Sequence, residues 1–163
     1  MKKFVIILIL IVSVFNLTGC NIDFLSEQSE KIDSVNDIFD QLFECLENDD
    51  VDAIKEMFAP KLRNKSLNKQ IEEMCSYFDG EVSSHFGLNT PSESKSVREG
   101  KIVRKKITNA RYRHVETNKD IYKISFSAIT IDENDSNNVG LWRIWIGKSD
   151  EDYMIIGNSD MPD

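Results

Sequence analysis

The spacing of apolar residues changes twice along the chain, and each change marks a different kind of structure. Phe4 to Phe15 is apolar except for Ser13. Between residues 32 and 78, apolar side chains recur every three or four positions, which predicts amphipathic helices. After Glu81, apolar and polar residues alternate, as in half-buried strands. Helices followed by a meander of strands predict an α+β domain with antiparallel pairing.

Three helices are predicted, over residues 32–46, 51–58 and 67–78. The polar run 48–50 offers a side-chain oxygen to cap the second helix, and Ser66 could cap the third. Pro60 ends the second helix, because the residue before a proline is pushed out of the helical region. The clearest apolar stripe belongs to the first helix and consists of Ile32, Val35, Ile38, Phe39, Leu42, Phe43 and Leu46.

Five strands are predicted, over residues 81–88, 102–115, 121–131, 139–147 and 153–156. The stretch 89–100 contains Pro91 and three serines, and it is predicted to be a loop or a frayed edge. Residues 118–120 have the side chains of a tight turn. Residues 132–138 are all polar, which predicts a solvated hairpin loop.

The N-terminal segment has the features of an export signal. Lys2 and Lys3 precede the apolar run, which as a helix would span about 18 Å, too short to cross a bilayer. A run of this length is typical of a signal peptide. The sequence Leu17-Thr-Gly-Cys20 then resembles the lipobox of bacterial lipoprotein precursors. The resemblance implies cleavage before Cys20 and a diacylglyceryl group on its sulfur, with palmitate-type chains.

These features divide the chain into a signal peptide (1–19), a lipidated tether (20–30) and a single domain (31–158). They predict a protein anchored by lipid to the extracytoplasmic face of the cell membrane. The net charge also bears on the choice of partner. The net charge is −8, and because only Lys2 and Lys3 are charged before Cys20, the remainder carries −10. Such a surface repels nucleic acid, so we expect no nucleic-acid partner.

Several short runs resemble a known family. They are Leu46-Glu-Asn-Asp, Ile54-Lys-Glu-Met-Phe-Ala-Pro, Tyr122-Lys-Ile-Ser-Phe and Gly140-Leu-Trp-Arg-Ile. Together with the lipobox and the order of elements, they look like small lipoproteins of Gram-positive bacteria, of uncharacterised function, with a nuclear transport factor 2-like (cystatin-like) domain. The resemblance implies N-terminal helices packed on a curved antiparallel sheet. It carries no activity, because this fold supports enzymes, ligand carriers and assembly modules alike.

Common catalytic and cofactor motifs are absent from the sequence, including GxxxxGK[ST], GxGxxG, HExxH, GxSxG and CxxC. Residues 132–143 have a faint likeness to a calcium loop, but Asn137 replaces the required glycine and Arg143 the required glutamate. We therefore predict no catalytic residues, metal site or cofactor. Cys45 and Cys75 fall on apolar helix faces, where free thiols are favoured although export would permit a disulfide.

Four residues form a candidate binding surface. Tyr112 and His114 are predicted to share one side of their strand, and Arg143 and Trp145 one side of theirs. They could recognise a partner or an anionic group. Alternatively, they could be cross-strand pairs that stabilise the sheet, and this role is favoured because such neighbours are common in antiparallel sheets.

Two classes of function remain open. The favoured hypothesis is a non-catalytic module that binds a small molecule or a protein at the cell envelope, including a cationic secreted protein attracted by the acidic surface. The alternative is a small hydrolase or isomerase that uses a pocket of the same fold. That activity needs a carboxylic acid whose pKa is raised by burial, and we identify no such acid in the sequence.

Overall fold

Residues 32–162 are described by a computed structural model. The predicted signal peptide, Cys20 and the tether lie outside these residues. The chain separates into two compact units, residues 1–39 and 40–163, and residues 32–39 of the first unit are helical. Within the described range, no helix combines the length and the apolar character needed to span a bilayer.

In the described part of the chain, three helices precede the sheet. Helix α1 covers residues 32–47, α2 covers Val51–Met57 and α3 covers Lys65–Tyr77. α2 ends before Pro60, as predicted, and a 3₁₀ turn, Pro60–Leu62, follows it. The Asp50 side chain caps α2 by accepting from the Ala53 amide at 2.9 Å. Asn64 rather than Ser66 caps α3, because its side chain accepts from the Leu67 amide at 3.0 Å and Ser66 lies inside the helix.

Six antiparallel strands follow: β1 (Val82–Leu88), β2 (Ser92–Arg98), β3 (Lys101–Thr117), β4 (Ile121–Asp132), β5 (Gly140–Gly147) and β6 (Tyr153–Gly157). Their order is β1-β3-β4-β5-β6, and β2 also pairs with β3. The prediction of a loop or a frayed edge over residues 89–100 is therefore wrong in part. This stretch contains β2, an exposed polar strand whose hydrogen bonds come from pairing along the N-terminal half of the long β3.

Apolar side chains of α2, α3 and the second half of α1 fill the space against one side of the sheet. Tyr122 of β4 is fully buried there, with its ring 4.9 Å from that of Phe78. Its hydroxyl donates to the Tyr77 carbonyl and accepts from the Asp79 amide. The end of α3 is thereby fixed to the middle of the sheet. The domain is an α+β fold with its N-terminal helices packed on an open, curved antiparallel sheet, as the sequence predicts.

The loop between β4 and β5 is more ordered than predicted. The Asp132 side chain is fully buried and accepts from Arg104 Nη2 at 2.6 Å, from Asn138 Nδ2 at 2.9 Å and from the Asn134 and Asp135 amides. Burial alone would raise the pKa of Asp132, but the hydrogen bonds outweigh it and lower that pKa from 3.8 to about 2. The expectation of a merely solvated loop is thus wrong, because one buried carboxylate organises it.

We expect the substitution Asp132→Ala to lower the free energy of unfolding at pH 7 by about 3 kcal/mol, since it removes the buried carboxylate that pairs with Arg104. Because the pKa of Asp132 is lower in the folded state, its stabilising effect is complete above about pH 4. The effect is lost as the pH falls towards 2. Urea denaturation of both proteins at several pH values measures this difference.

Asp150→Ala is the matched control, because that carboxylate is 88% exposed and pairs only at the surface with Lys123. Its expected effect is within about 0.5 kcal/mol. Equal losses of unfolding free energy for the two variants would contradict the structural role of Asp132. A loss for Asp132→Ala that stays the same in acid would contradict it too.

Candidate functional site

Tyr112 and His114 do not share a surface, contrary to the sequence prediction. Tyr112 and Val115 are three residues apart in β3, but their partners in β4, Ile124 and Tyr122, are only two residues apart. This β-bulge places both Tyr112 and Val115 in the core. A strict alternation of faces, which the sequence argument assumed, fails at such a point.

The two side chains have different neighbours as a result. Tyr112 is only 6% exposed and packs with Phe43 of α1 and with His85, whose ring lies 4.5 Å away. The His114 ring instead stacks at 4.2 Å on Phe86, which is 59% exposed. Tyr112 is therefore a core residue, whereas His114 belongs to an exposed aromatic pair.

Arg143 and Trp145 do come together, in a cleft of about 400 Å³ on the sheet. Antiparallel register builds the cleft from three neighbouring strands. Arg111 of β3 faces Ser125 of β4, which faces Trp145 of β5. Ser127 of β4 faces Arg143 of β5 one step further along the same side. The intervening apolar residues of β5, Trp142, Ile144 and Ile146, are buried.

Trp145 is held in place by a layered arrangement of side chains. Its ring stacks on Tyr153 at 5.5 Å with an interplanar angle of 24°. The Arg111 guanidinium carbon lies 5.6 Å from the centre of the same indole, within range of a cation–π interaction. Gly147 leaves the room for this, because a Cβ there would lie 2.9 Å from the indole and 2.6 Å from the Tyr153 Cβ.

The remaining wall of the cleft is mostly polar, and its lining residues in the described part of the chain include no acid. Thr108, Asn109, Ser125 and Ser127 contribute hydroxyl and amide groups, and Ser159 and Met161 of the C-terminal segment complete the lining with Phe126. Asn109 adopts a positive φ of 56° at another irregularity of β3, where its amide donates to Ser127 Oγ at 3.3 Å. The lining therefore combines two guanidinium groups with neutral hydrogen-bonding groups.

The two arginines of the cleft have incomplete hydrogen bonding. The Nε atoms of Arg111 and Arg143 are buried and have no hydrogen-bond partner among the described residues. A buried donor without a hydrogen-bond partner lowers the free energy of unfolding by about 1 to 3 kcal/mol. Several cations elsewhere in the described part of the chain pair with acids: Arg63 with Glu56, Arg104 with Asp132, Lys119 with Asp79, Lys123 with Asp150 and Lys148 with Asp120.

Arg111 is the functional candidate that sequence reasoning missed. Its position on the long basic strand does not distinguish it from Arg104, Lys106 or Arg113. Only the strand pairing could have identified Arg111, because its place in the cleft follows from its position opposite Ser125 of β4. Locating it required the register of β3 against β4, which depends on three irregularities.

Other chemically reactive groups lie elsewhere. Neither His85 nor His114 lines the cleft. Cys45 and Cys75 are free thiols, and burial, with a smaller effect of the Asp49 carboxylate, raises the pKa of Cys75 to about 11. Within residues 32–162, no group of three or more His, Cys, Asp or Glu side chains could hold a metal ion. The cleft itself presents two cationic groups, hydroxyl groups and an aromatic ring.

This is the geometry of a small α+β domain with a cationic cleft on its antiparallel sheet. Residues 41–151, more than half of the chain, match the model of the family described as Domain of unknown function (DUF5104). The chain belongs to that family. The matched segment includes Arg111, Arg143 and Trp145 but not Cys20. No curated protein matches the chain.

We expect Arg143→Met to leave the free energy of unfolding unchanged or to raise it by about 0.5 to 1 kcal/mol. Methionine keeps much of the apolar stem but removes a buried donor that has no partner. Thermal and urea denaturation measure the change. The comparison variant, Arg104→Met, should lose about 3 kcal/mol, because it leaves buried Asp132 unpaired.

This pair of variants separates the two roles proposed for the surface. A loss above about 1 kcal/mol for Arg143→Met would mean that Arg143 stabilises the sheet, and would contradict the interpretation of the cleft as a recognition site.

Proposed function

We propose that this protein is a lipid-anchored lipoprotein on the extracytoplasmic face of the cell membrane, and that its domain is a non-catalytic binding module. The ligand or partner occupies the cleft formed by Arg111, Arg143 and Trp145. One observation carries the binding proposal: Arg111 and Arg143, whose buried Nε atoms have no hydrogen-bond partner among the described residues, line one cleft, and the described residues that line it include no acid. Buried N–H donors that have no hydrogen-bond partner favour a ligand that supplies hydrogen-bond acceptors.

Support for the anchor comes from the sequence. A basic start, a short apolar run and Leu17-Thr-Gly-Cys20 are the three parts of a lipoprotein signal in the expected order. Each buried methylene of an acyl chain contributes about 0.8 kcal/mol, and two chains anchor a protein where one is marginal. Cys20 would carry them, and residues 21–30 would form the tether.

The architecture supports the finer family assignment that we propose, a nuclear transport factor 2-like (cystatin-like) domain of the type found in small lipoproteins of Gram-positive bacteria. Helices come first, and a strongly paired antiparallel sheet follows them. Such a fold presents one sheet side to its helices and leaves the other available for recognition. The position of the cleft on the sheet agrees with this division.

A catalytic role has weaker support in the described residues. A general base in this fold would need a buried acid with a raised pKa. The buried Asp132 has a lowered pKa and is held by Arg104 and Asn138. Its carboxylate oxygens are committed to five hydrogen bonds, so its role is structural. We therefore propose binding rather than hydrolysis or isomerisation.

The anchor can be tested by intact-mass and peptide mass spectrometry of the protein from its native membrane. We expect the first residue to be Cys20, with a mass increase equal to a diacylglyceryl group. A Cys20→Ser variant should be neither cleaved nor lipidated at this site, and Cys45→Ser is the matched control that should retain the lipid. An unmodified Cys20, or residues 1–19 still attached to the wild-type protein, would refute the anchor.

The cleft can be tested by a thermal-shift screen of the full chain, with detergent present, against neutral, cationic and anionic small molecules and short peptides. A ligand at 100 times its dissociation constant should add about 2.7 kcal/mol of stability. Trp145→Ala should abolish that gain, because it removes the aromatic wall. Phe86→Ala removes another exposed aromatic ring and should leave the gain intact. A gain that survives Trp145→Ala would place binding elsewhere and contradict the proposed site.

A further inference from the structure

We infer that the cleft takes a small ligand through an oxyanion, a carboxylate or phosphate group held over β4 between Arg111 and Arg143. This inference rests on the proposed function, because it names the class of ligand for the same site.

The register of the sheet places the two arginines on either side of one strand. Arg111 lies on β3 and Arg143 on β5, and β4 runs between them. Strands two positions apart in a sheet are about 10 Å apart, so two long side chains can converge on a group above the middle strand. The residues of β4 directly opposite the two arginines are Ser125 and Ser127, small side chains with hydroxyl groups.

The chemistry of these side chains matches an oxyanion. A guanidinium group presents N–H donors in a planar fork, which binds carboxylate and phosphate oxygens in pairs. The serine hydroxyls can donate to a further oxygen of the same group. The indole of Trp145 lies beside the Arg111 guanidinium and restricts its orientation, so Trp145 acts as a positioning residue for that fork.

The charge distribution favours a small oxyanion over a large polyanion. The chain from Cys20 onward has a net charge of −10, so an extended polyanion would meet repulsion outside the cleft. A single oxyanion group inside the cleft has Arg111 and Arg143 as its charged neighbours among the described lining residues. The cleft volume of about 400 Å³ also lies in the range of small-molecule sites.

The test is a nuclear magnetic resonance titration of the full chain, with detergent present, that follows the arginine Nε–Hε signals. Inorganic phosphate and succinate are the two oxyanion probes, and sodium chloride holds the ionic strength constant. We expect saturable shifts of the Arg111 and Arg143 signals. The probe that binds more tightly identifies a phosphate or a carboxylate as the source of the oxyanion.

Variants of the two arginines should weaken this binding at least tenfold. They are Arg111→Gln, Arg143→Gln and Arg111→Lys, the last of which keeps the charge but loses the planar fork. Arg113→Gln is the matched control, because Arg113 is an exposed arginine on the same strand and does not line the cleft. It should change the affinity less than twofold. Unchanged backbone spectra establish that each variant is folded.

Four results would overturn the inference. Shifts that chloride alone reproduces would reduce the effect to ionic screening, and equal losses from Arg113→Gln would reduce it to net charge. If glucose or choline shifts the Trp145 signals but phosphate and succinate do not, the ligand class is wrong while the proposed binding site stands. If no compound of any charge shifts a cleft signal, both the inference and the proposed site fail.

Discussion

The antiparallel pairing of β4 with β3 on one side and with β5 on the other is the constraint on which the rest of the structure depends. It buries Tyr122, Ile124 and Phe126 against the helices, and it brings arginines from two different strands to one cleft. Neither arrangement tolerates a one-residue slip, because a slip would exchange the two sides of the sheet. The core and the candidate site are therefore specified by the same set of hydrogen bonds.

The sequence predicts the order and type of most elements because their signals are local. Helical spacing identified the helices, Asp50 behaved as a cap, and alternating residues located five of the six strands. β2 was missed because its polar residues carry no apolar alternation, and its hydrogen bonds come from β3. Ser66 was predicted as the cap of α3, but Asn64 is the observed one. Both residue types are good caps, and only the backbone geometry distinguishes them.

The site was less predictable, because it depends on where the strands depart from regular alternation. The bulge in β3 separates Tyr112 from His114, although the sequence places them two residues apart. Arg143 and Trp145 lie on a regular part of β5, so their shared side follows from alternation alone. Arg111 could be found only from pairing, and no local pattern encodes the position of a bulge.

The proposal that the cleft serves recognition is best supported by a comparison of Arg104 with the two cleft arginines, Arg111 and Arg143. Arg104 pairs with Asp132, whose other hydrogen bonds are all supplied within the hairpin, so this chain can build a complete partner for a buried guanidinium. Arg111 and Arg143 have no such carboxylate among the described residues, although acidic residues outnumber basic ones in the full chain by 28 to 20. Donors left unsatisfied inside a fold reduce its stability, and they persist where another use retains them. An oxyanion would complete the same chemistry that Asp132 completes for Arg104.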